Sequence, residues 1–374
     1  MKILIMVHNL TGGGAERVAA LWASGFVERG YEVGMVLNCS EDTPMTYQVP
    51  KKVHFYNLYG NKTVNLIAGI LSRRLHNFWY YVGRMKRILN DFKPDVVIGV
   101  LQPYAEWARI ASIKKPIVVI NTEHNSFERP DSAPMGDYEW EQKYKWNVKY
   151  EQVTVLNNAD KICTRDFLDN VTVLPNPLAF LPDYKPEKKE KVILAAGRLD
   201  VWHCKGFDIM LKVWGLVAPE FPEWRLEIAG KGTEQDVMRI EKMMIENRVK
   251  DRTCIIGYQT DMIPVYQRSS VFLLTSRYEG FGMVLIEAMS QGAAPIACDY
   301  KGRQSEIITN ENEGILTEPE DVVSIADGLR KLLSDDALRI RIQKNAVERS
   351  KYYSLENIMD RWEEIFKRIN IKQA

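Results

Sequence analysis

The chain has 374 residues, which is too long for one ordinary core and suggests about two domains. Hydrophobic residues make up 46% of the chain and charged residues 26%, a composition that excludes wholesale disorder and a collagen-like or low-complexity fibre. The 50 basic and 49 acidic residues give a formal net charge of +1, which argues against a globally basic nucleic-acid-binding protein. Residues 1–165 contain 21 basic and 16 acidic residues, so the first half is the one suited to meet an anionic surface.

The first half of the chain alternates apolar runs with segments of helical periodicity. The pattern predicts strands at 3–7, 33–37, 95–99 and 117–120, and helices at 15–29 and 105–113. Strands that alternate with helices are typical of an α/β domain with a parallel sheet.

A second series of the same kind begins at residue 192. It predicts strands at 192–196, 225–228, 253–256, 271–274 and 295–297, and helices at 207–217, 234–247 and 283–291. Two doubly wound series predict two Rossmann-like domains that face each other across a ligand cleft. Prolines and charges between Thr172 and Lys191 mark a linker, so we place the first domain at 1–170 and the second at 171–350.

Cysteines and apolar runs bear on the compartment. The five cysteines form no CxxC pair and no zinc-type spacing, which indicates thiols in a reducing environment. The apolar run at Met1–Val7 is too short for a secretory signal, and nowhere do about 18 apolar residues follow one another. We therefore expect a cytoplasmic protein.

Gly12, Gly13 and Gly14 separate the first predicted strand from the first predicted helix. Glycines let backbone N–H groups approach a ligand closely, and the helix dipole favours an anion at that end. The loop lacks both the GxGxxG pattern and the P-loop lysine, so it gives little support to a hydride-transferring enzyme or a P-loop ATPase. A tight turn without a ligand is the alternative interpretation.

The strongest local signal is a pair of acids around a second glycine loop. Glu279 precedes this loop, and Glu287 follows eight residues later near the middle of the next helix. Backbone N–H groups of Gly282, Met283 and Val284 would point at a bound phosphate. Carboxylates suit sugar and ribose hydroxyls because their oxygens accept charge-assisted hydrogen bonds. Two unrelated acids on a solvated helix are the alternative, which the loop and the preceding strand disfavour.

Two cations flank the start of the second domain. Arg198 and Lys205 follow the strand predicted at 192–196. At the carboxyl edge of a strand, two cations can neutralise a diphosphate leaving group. The alternative is a pair of surface cations without a ligand.

These segments together resemble the retaining glycosyltransferases of family 4, which have the two-domain GT-B fold. The resemblance covers nearly the whole chain, and the ordered set of segments is specific where each one alone is not. The segments are Gly12–Gly14 with Ala15 and Glu16, Glu123–Asn125, Leu174–Pro177, Gly197–Leu199 with Lys205 and Gly206, and Glu279 with Glu287.

The resemblance implies a role for each matching residue. Glu279 would contact the donor sugar, Glu287 would hold the ribose, and His124 would face the donor sugar. Arg198 and Lys205 would bind the diphosphate and stabilise the charge that develops as it leaves. The other donor-binding positions that the resemblance implies are Gly13, Gly14, Gly280, Phe281, Gly282, Met283 and Val284. It also implies no metal and no cofactor, acceptor binding by 1–170, donor binding by 171–350, and a C-terminal helix in 351–374 that packs back toward the first domain.

Residues 62–93 combine seven basic residues and one acid with interleaved apolar and aromatic side chains. Such helices can lie on an anionic bilayer, so this stretch predicts peripheral contact with the inner face of the membrane. A solvated helix pair that packs on the sheet is the alternative. A nucleic-acid surface is a further interpretation, but no nucleic-acid-binding motif accompanies it.

The sequence therefore favours a retaining, metal-independent transferase that moves a hexosyl or N-acetylhexosaminyl group from a nucleotide sugar. UDP is favoured as the nucleotide, and the acceptor would be a saccharide or a polyprenyl-linked saccharide in surface polysaccharide or lipopolysaccharide synthesis. No covalent nucleophile is clearly placed, so attack on the face from which the diphosphate departs is expected. A nucleotide-sugar epimerase of related fold and a catalytically silent nucleotide-sugar-binding partner remain as alternatives.

Overall fold

The computed structural model describes residues 1–40, 42–59, 70–101, 103–130 and 134–369. Its contacts divide the chain into two compact units. Unit 1 consists of Met1–Glu128, Met135–Pro177 and Leu355–Ala374, and unit 2 consists of Arg129–Pro134 and Leu178–Ser354.

Unit 1 is built on a parallel sheet, which has seven strands within the described residues. The strands are β1 (Lys2–Val7), β2 (Glu32–Leu37), β3 (His54–Asn57), β4 (Val96–Val100), β5 (Val118–Thr122), β6 (Gln152–Val155) and β7 (Val171–Val173). Their order is β3-β2-β1-β4-β5-β6-β7, and every neighbouring pair is parallel. The order reverses direction between β1 and β4, which is where ligands bind in doubly wound sheets.

The helices of unit 1 include α1 (Gly14–Glu28), α2 (Ile70–Phe92), α3 (Tyr104–Ala111), α4 (Asp137–Glu141) and α5 (Asn158–Thr164). The last helix of the chain, α13 (Leu355–Arg368), also belongs to this unit. A five-residue π-helix, Gln142–Trp146, follows α4 directly. Leu4, Met6 and Val97 of the sheet pack against Leu89 and Ala108 of α2 and α3 in one apolar core.

Unit 2 is built on a second parallel sheet, with six strands in the described ranges. They are β8 (Glu190–Ala196), β9 (Arg225–Ala229), β10 (Thr253–Gly257), β11 (Ser269–Leu274), β12 (Ala294–Cys298) and β13 (Ile315–Thr317), in the order β10-β9-β8-β11-β12-β13. The helices are α6 (Trp202–Lys205), α7 (Phe207–Val217), α8 (Glu234–Glu246), α9 (Ile263–Arg268), α10 (Met283–Ser290), α11 (Val322–Ser334) and α12 (Asp336–Ser350).

The predicted strands and helices agree with the structure to within a few residues. The continuous apolar runs form buried parallel strands, as β4, β11 and β12 show, each of them buried at every position. The two parallel-sheet α/β domains confirm the predicted fold class. Within the described ranges, no helix is both long enough and apolar enough to cross a bilayer.

The segment around the predicted linker contains a strand that the sequence did not reveal. Val171–Val173 pairs in parallel with β6, so unit 1 extends to Pro177 and unit 2 resumes at Leu178. Three further short strands, β3, β6 and β13, were also missed. Strands of three or four residues give too few alternations to stand out from the surrounding loops.

The stretch predicted to meet a membrane is covered only in part. Residues 62–69 lie outside the described residues, and α2 begins at Ile70. In the second half of α2 the Trp79 side chain is 62% exposed, and Lys86 and Arg87 are exposed. Val82, Met85 and Leu89 on the same helix face the core.

Gly206 allows the loop after β8 to dock on the end of β11. The residue has a φ of +66°, and a Cβ added to it would lie 2.0 Å from the Thr275 carbonyl oxygen. The Thr275 hydroxyl donates to the Gly206 carbonyl at 2.9 Å, and the Arg277 N–H donates to the Cys204 carbonyl at 2.9 Å. Only glycine permits both this backbone conformation and this close approach.

We predict that Gly206→Ala strongly destabilises unit 2. The matched control is Gly257→Ala, because Gly257 has a φ of +71° but no atom within 4 Å of an added Cβ. The control should lower the free energy of unfolding by about 1–2 kcal/mol, the usual cost of the left-handed region for a residue with a Cβ. Chemical denaturation should show a clearly larger loss for Gly206→Ala, and equal losses would contradict the docking described above.

Candidate active site

The candidate site of unit 2 lies at the carboxyl ends of β8 and β11. These strands are neighbours and parallel, so the loops that follow them emerge at the same edge of the sheet. The strand order also reverses direction here, with β9 on one side and β12 on the other. A ligand-binding crevice forms at such a point in doubly wound sheets.

Lys205 and Glu279 meet at this edge in a largely buried ion pair. The Lys205 Nζ donates to Glu279 Oε1 at 2.7 Å, and the two side chains are 22% and 12% exposed. The Ser276 hydroxyl donates to the same carboxylate oxygen at 2.7 Å. Among the described residues, Glu279 Oε2 makes no hydrogen bond, so this oxygen can accept one from a ligand hydroxyl.

The Glu279 carboxylate stabilises the charged form of Lys205. Burial lowers the pKa of Lys205, but the Glu279 carboxylate raises it by more, so the pKa of Lys205 lies above its ordinary value. A fixed ammonium group at this position suits a ligand that carries negative charge.

Arg198 is hydrogen-bonded to a different acid, Asp200. Its Nε donates to Asp200 Oδ1 at 3.0 Å, and its side chain is 70% exposed. The hydrogen bond to Asp200 raises the pKa of Arg198. The structure therefore brings Lys205 to Glu279, while it holds the Arg198 guanidinium on Asp200.

The loop from Gly280 to Val284 leads into α10. Gly282 caps this helix with a φ of +90°, and Phe281 packs its buried ring on Tyr353 with 5.5 Å between centroids. Because the first N–H groups of a helix have no acceptor within it, the amides of Met283 and Val284 are free of intrahelical bonds. The glycine loop thus leads into a helix start, as the sequence predicted, while anion binding by this loop stays a prediction.

Glu287 lies in the second turn of α10 and is buried, with 4% of its surface exposed. The Tyr266 hydroxyl donates to Glu287 Oε2 at 3.1 Å. Tyr266 belongs to α9 and is fully buried. Nothing in the sequence marks Tyr266 as a site residue, because an aromatic residue in a short apolar helix is typical of an ordinary core position.

In unit 1, His124 follows β5 and is held by Thr122. The Thr122 hydroxyl lies 3.0 Å from the Gly99 carbonyl, to which it must donate, and 3.1 Å from His124 Nε2. The hydroxyl oxygen therefore accepts from Nε2–H, which leaves Nδ1 as the unprotonated nitrogen of the neutral ring. Within the described residues, His124 Nδ1 and Asn176 Oδ1 are buried without a hydrogen bond of normal geometry.

His124 is neutral at physiological pH. Burial lowers its pKa to about 4, against a smaller opposing effect of the neighbouring Asn176 side chain. A neutral imidazole has one unprotonated ring nitrogen, and such a nitrogen can accept a hydrogen bond from a hydroxyl group.

The glycine loop of unit 1 precedes α1, as expected. Gly13 caps the helix in an extended conformation, and Gly14 is its first residue. The Glu16 side chain covers Gly13, because a Cβ added there would lie 1.8 Å from Glu16 Oε2. A carboxylate of the chain itself thus lies at the helix start where the sequence predicted room for an anion.

Two family models match successive parts of the chain. The model described as Glycosyltransferase Family 4 matches residues 12–178, and the model described as Glycosyl transferases group 1 matches residues 180–349. The two matches meet where the structure divides the chain into its units.

Relatives and solved structures agree with these matches over nearly the full length. An uncharacterized glycosyltransferase of Haemophilus influenzae is 25% identical over 97% of this chain and 99% of its own. A Campylobacter jejuni enzyme named GalNAc-alpha-(1->4)-GalNAc-alpha-(1->3)-diNAcBac-PP-undecaprenol alpha-1,4-N-acetyl-D-galactosaminyltransferase is 24% identical over 97% of each chain. The crystal structure of Anabaena HepE in complex with UDP and glucose superimposes with a TM-score of 0.79 at 17% identity, over 98% of this chain and 100% of the other.

We predict strong energetic coupling between Lys205 and Glu279. Lys205→Met and Glu279→Gln each leave one largely buried charge without its partner, whereas the double variant leaves none. A double-mutant cycle by chemical denaturation should give a coupling of about 1–3 kcal/mol. The exposed pair Lys242–Glu246 serves as the control and should couple far more weakly, and equal couplings would refute the buried pair.

We also predict that protonation of His124 destabilises the folded protein at acid pH. Its pKa of about 4 lies below the ordinary value of 6.5, so the unfolded chain binds more protons between these pH values. The free energy of unfolding should therefore fall as the pH is lowered from 6.5 to 4, and His124→Gln should flatten this slope. His54→Gln, at an exposed position on β3, is the control, and an unchanged slope in His124→Gln would contradict the assignment.

Proposed function

The chain is a glycosyltransferase of the GT-B fold, and we propose that it is a retaining enzyme that uses a nucleotide-sugar donor. The donor would be a UDP sugar, and the group transferred would be a hexosyl or N-acetylhexosaminyl residue. The observation that carries the proposal is the Lys205–Glu279 pair at the point where the sheet of unit 2 reverses its strand order. The HepE structure contains UDP, which supports the choice of nucleotide.

Each residue of unit 2 has a proposed task that its surroundings suit. Glu279 accepts hydrogen bonds from donor sugar hydroxyls through Oε2, while Lys205 holds its other oxygen. Lys205 itself, with Arg198 once the latter leaves Asp200, faces the diphosphate. The amides of the loop Gly280–Val284 assist at the start of α10, and Glu287 holds the ribose.

The proposed reaction transfers the sugar with retention of configuration. The bond between the anomeric carbon and the diphosphate oxygen breaks, and its electron pair stays on the diphosphate. The acceptor hydroxyl forms the new bond on the same face, and its proton passes to a leaving phosphate oxygen. Lys205 lowers the barrier by stabilising the negative charge that grows on the diphosphate.

In unit 1, we assign His124 to the donor sugar and the amides of Gly13 and Gly14 to the diphosphate. His124 Nδ1 would accept a hydrogen bond from a sugar hydroxyl, a task that requires the neutral ring. The Glu16 carboxylate would have to leave Gly13 before an anion bound there. No metal and no cofactor takes part in this proposal, because Arg198 and Lys205 supply the positive charge.

The proposed acceptor is a saccharide or a polyprenyl-linked saccharide in the synthesis of a surface polysaccharide or lipopolysaccharide. The Campylobacter relative, whose name specifies an undecaprenol-linked substrate, supports this class. We propose that the enzyme works in the cytoplasm and touches the inner face of the membrane through residues 62–93. Exposed Trp79, Lys86 and Arg87 on α2 suit an anionic lipid surface.

A nucleotide screen tests the proposed donor. UDP, GDP, ADP and their common sugar conjugates are added to the folded protein, and the melting temperature is measured, since a ligand of the native state raises it. UDP and UDP sugars should raise it, and Glu287→Gln should abolish most of the shift. Glu220→Gln, at an exposed ion pair of unit 2, is the control and should keep the shift.

Two outcomes of this screen would overturn parts of the proposal. No shift with any nucleotide would contradict the nucleotide-sugar donor. A shift without transfer or hydrolysis of any bound sugar would favour the silent partner, and release of an isomerised nucleotide sugar would favour the epimerase.

Vesicle flotation tests the membrane contact separately. The protein should float with vesicles that contain anionic phospholipid and should stay behind with neutral ones. Replacing Lys86 and Arg87 by Gln should weaken flotation, with Lys344→Gln on α12 as the control. Equal flotation on both kinds of vesicle, or on neither, would contradict the contact.

A further inference from the structure

The C-terminal helix α13 buries an aromatic face against α1. Trp362 has no exposed surface, and its ring meets Trp22 edge to face with 5.1 Å between centroids. Phe366 stacks on Phe26 at 5.7 Å. Large apolar surfaces of this kind fix two helices relative to each other because any shift exposes aromatic area to water.

Other contacts hold the same two helices in register. Arg29, just after α1, makes ion pairs with Asp360 and Glu363 on α13, the second at 3.1 Å. Gly25 leaves room for Met359, because a Cβ added to Gly25 would lie 2.7 Å from the Met359 side chain. The position of Trp362 is therefore fixed by both packing and charge.

The Trp22 ring packs against the His124 ring. The two ring centroids are 5.8 Å apart with an interplanar angle of 44°, and Trp22 is 1% exposed. Thr122 fixes one ring nitrogen of His124, and Trp22 limits the tilt of the ring. Trp22 in turn cannot move away while Trp362 fills the space behind it.

We propose that Trp362 is a positioning residue that sets the orientation of the His124 ring through Trp22. The inference rests on the proposed role of His124 at the donor sugar. It gives the C-terminal helix a task in the reaction, although the helix lies some 240 residues further along the chain. The ring orientation decides where Nδ1 points, and a small misplacement of a hydrogen-bonding group lowers the rate of the chemical step.

Burial, to which Trp22 contributes, and the neutral Asn176 side chain determine how His124 titrates. Burial lowers the pKa of His124, and Asn176 opposes it. Opening the space behind Trp22 admits water to the ring, so the titration of His124 reports its packing without any measurement of activity.

The test compares two substitutions on α13. Trp362→Leu removes the ring behind Trp22, and Met359→Ala removes a buried side chain of the same helix that packs on Gly25. Trp362→Phe keeps an aromatic ring and serves as the conservative variant. The measurements are the NMR titration of the ¹³C-labelled His124 ring and the kcat and KM of sugar transfer for the donor.

Trp362→Leu should raise the pKa of His124 from about 4 toward its ordinary 6.5. It should also lower kcat about tenfold with little change in KM, because an interaction made in the transition state is lost. Trp362→Phe should restore most of both properties, and Met359→Ala should leave both near those of the original protein.

A Trp362→Leu protein that matches Met359→Ala in both measurements would overturn the inference. If Trp362→Leu fails to fold, Trp362→Met, which also removes the ring but fills more of its space, carries the same comparison, and an unchanged NMR titration of His124 in that variant would also overturn the inference. A His124 titration that responds as expected in a protein without transferase activity would instead refute the proposed function and leave the positioning intact.

Discussion

The close approach of two loops at the carboxyl edge of the second sheet is the constraint on which the candidate site depends. Gly206 lets the chain after β8 lie on the Thr275 carbonyl, and this contact delivers Lys205 to Glu279. The ion pair then fixes one carboxylate oxygen and leaves the other for a ligand. Parallel strands bring the two loops to the same edge of the sheet, and the absence of a Cβ at Gly206 lets Lys205 reach Glu279 there.

In unit 1, aromatic packing rather than charge organises the candidate site. Trp362, Trp22 and His124 form a continuous row of ring contacts from the C-terminal helix to the end of β5. Thr122 fixes the tautomer of His124, and burial keeps the ring neutral. A histidine that accepts a hydrogen bond from a neutral hydroxyl group needs both a fixed tautomer and a neutral ring. Neither condition requires an ionised group nearby.

The sequence predicted the repeating strands and helices because buried parallel strands are continuous apolar runs, some of which end at a glycine, as at Gly197, Gly230 and Gly257. The spacing of Glu279 and Glu287 also placed one acid before α10 and the other in its second turn, as observed. The sequence did not predict that Arg198 pairs with Asp200. It also did not predict that the Glu16 side chain covers Gly13. Such contacts depend on side-chain rotamers, and the Tyr266–Glu287 hydrogen bond joins two helices whose packing no local pattern encodes.

The central claim is that Glu279 recognises the sugar of a nucleotide sugar. The most direct test is calorimetric titration of UDP and of the preferred UDP sugar into the original protein and into Glu279→Gln. We expect both proteins to bind UDP about equally, and only the original protein to gain affinity from the sugar. An equal gain from the sugar in Glu279→Gln would contradict the claim.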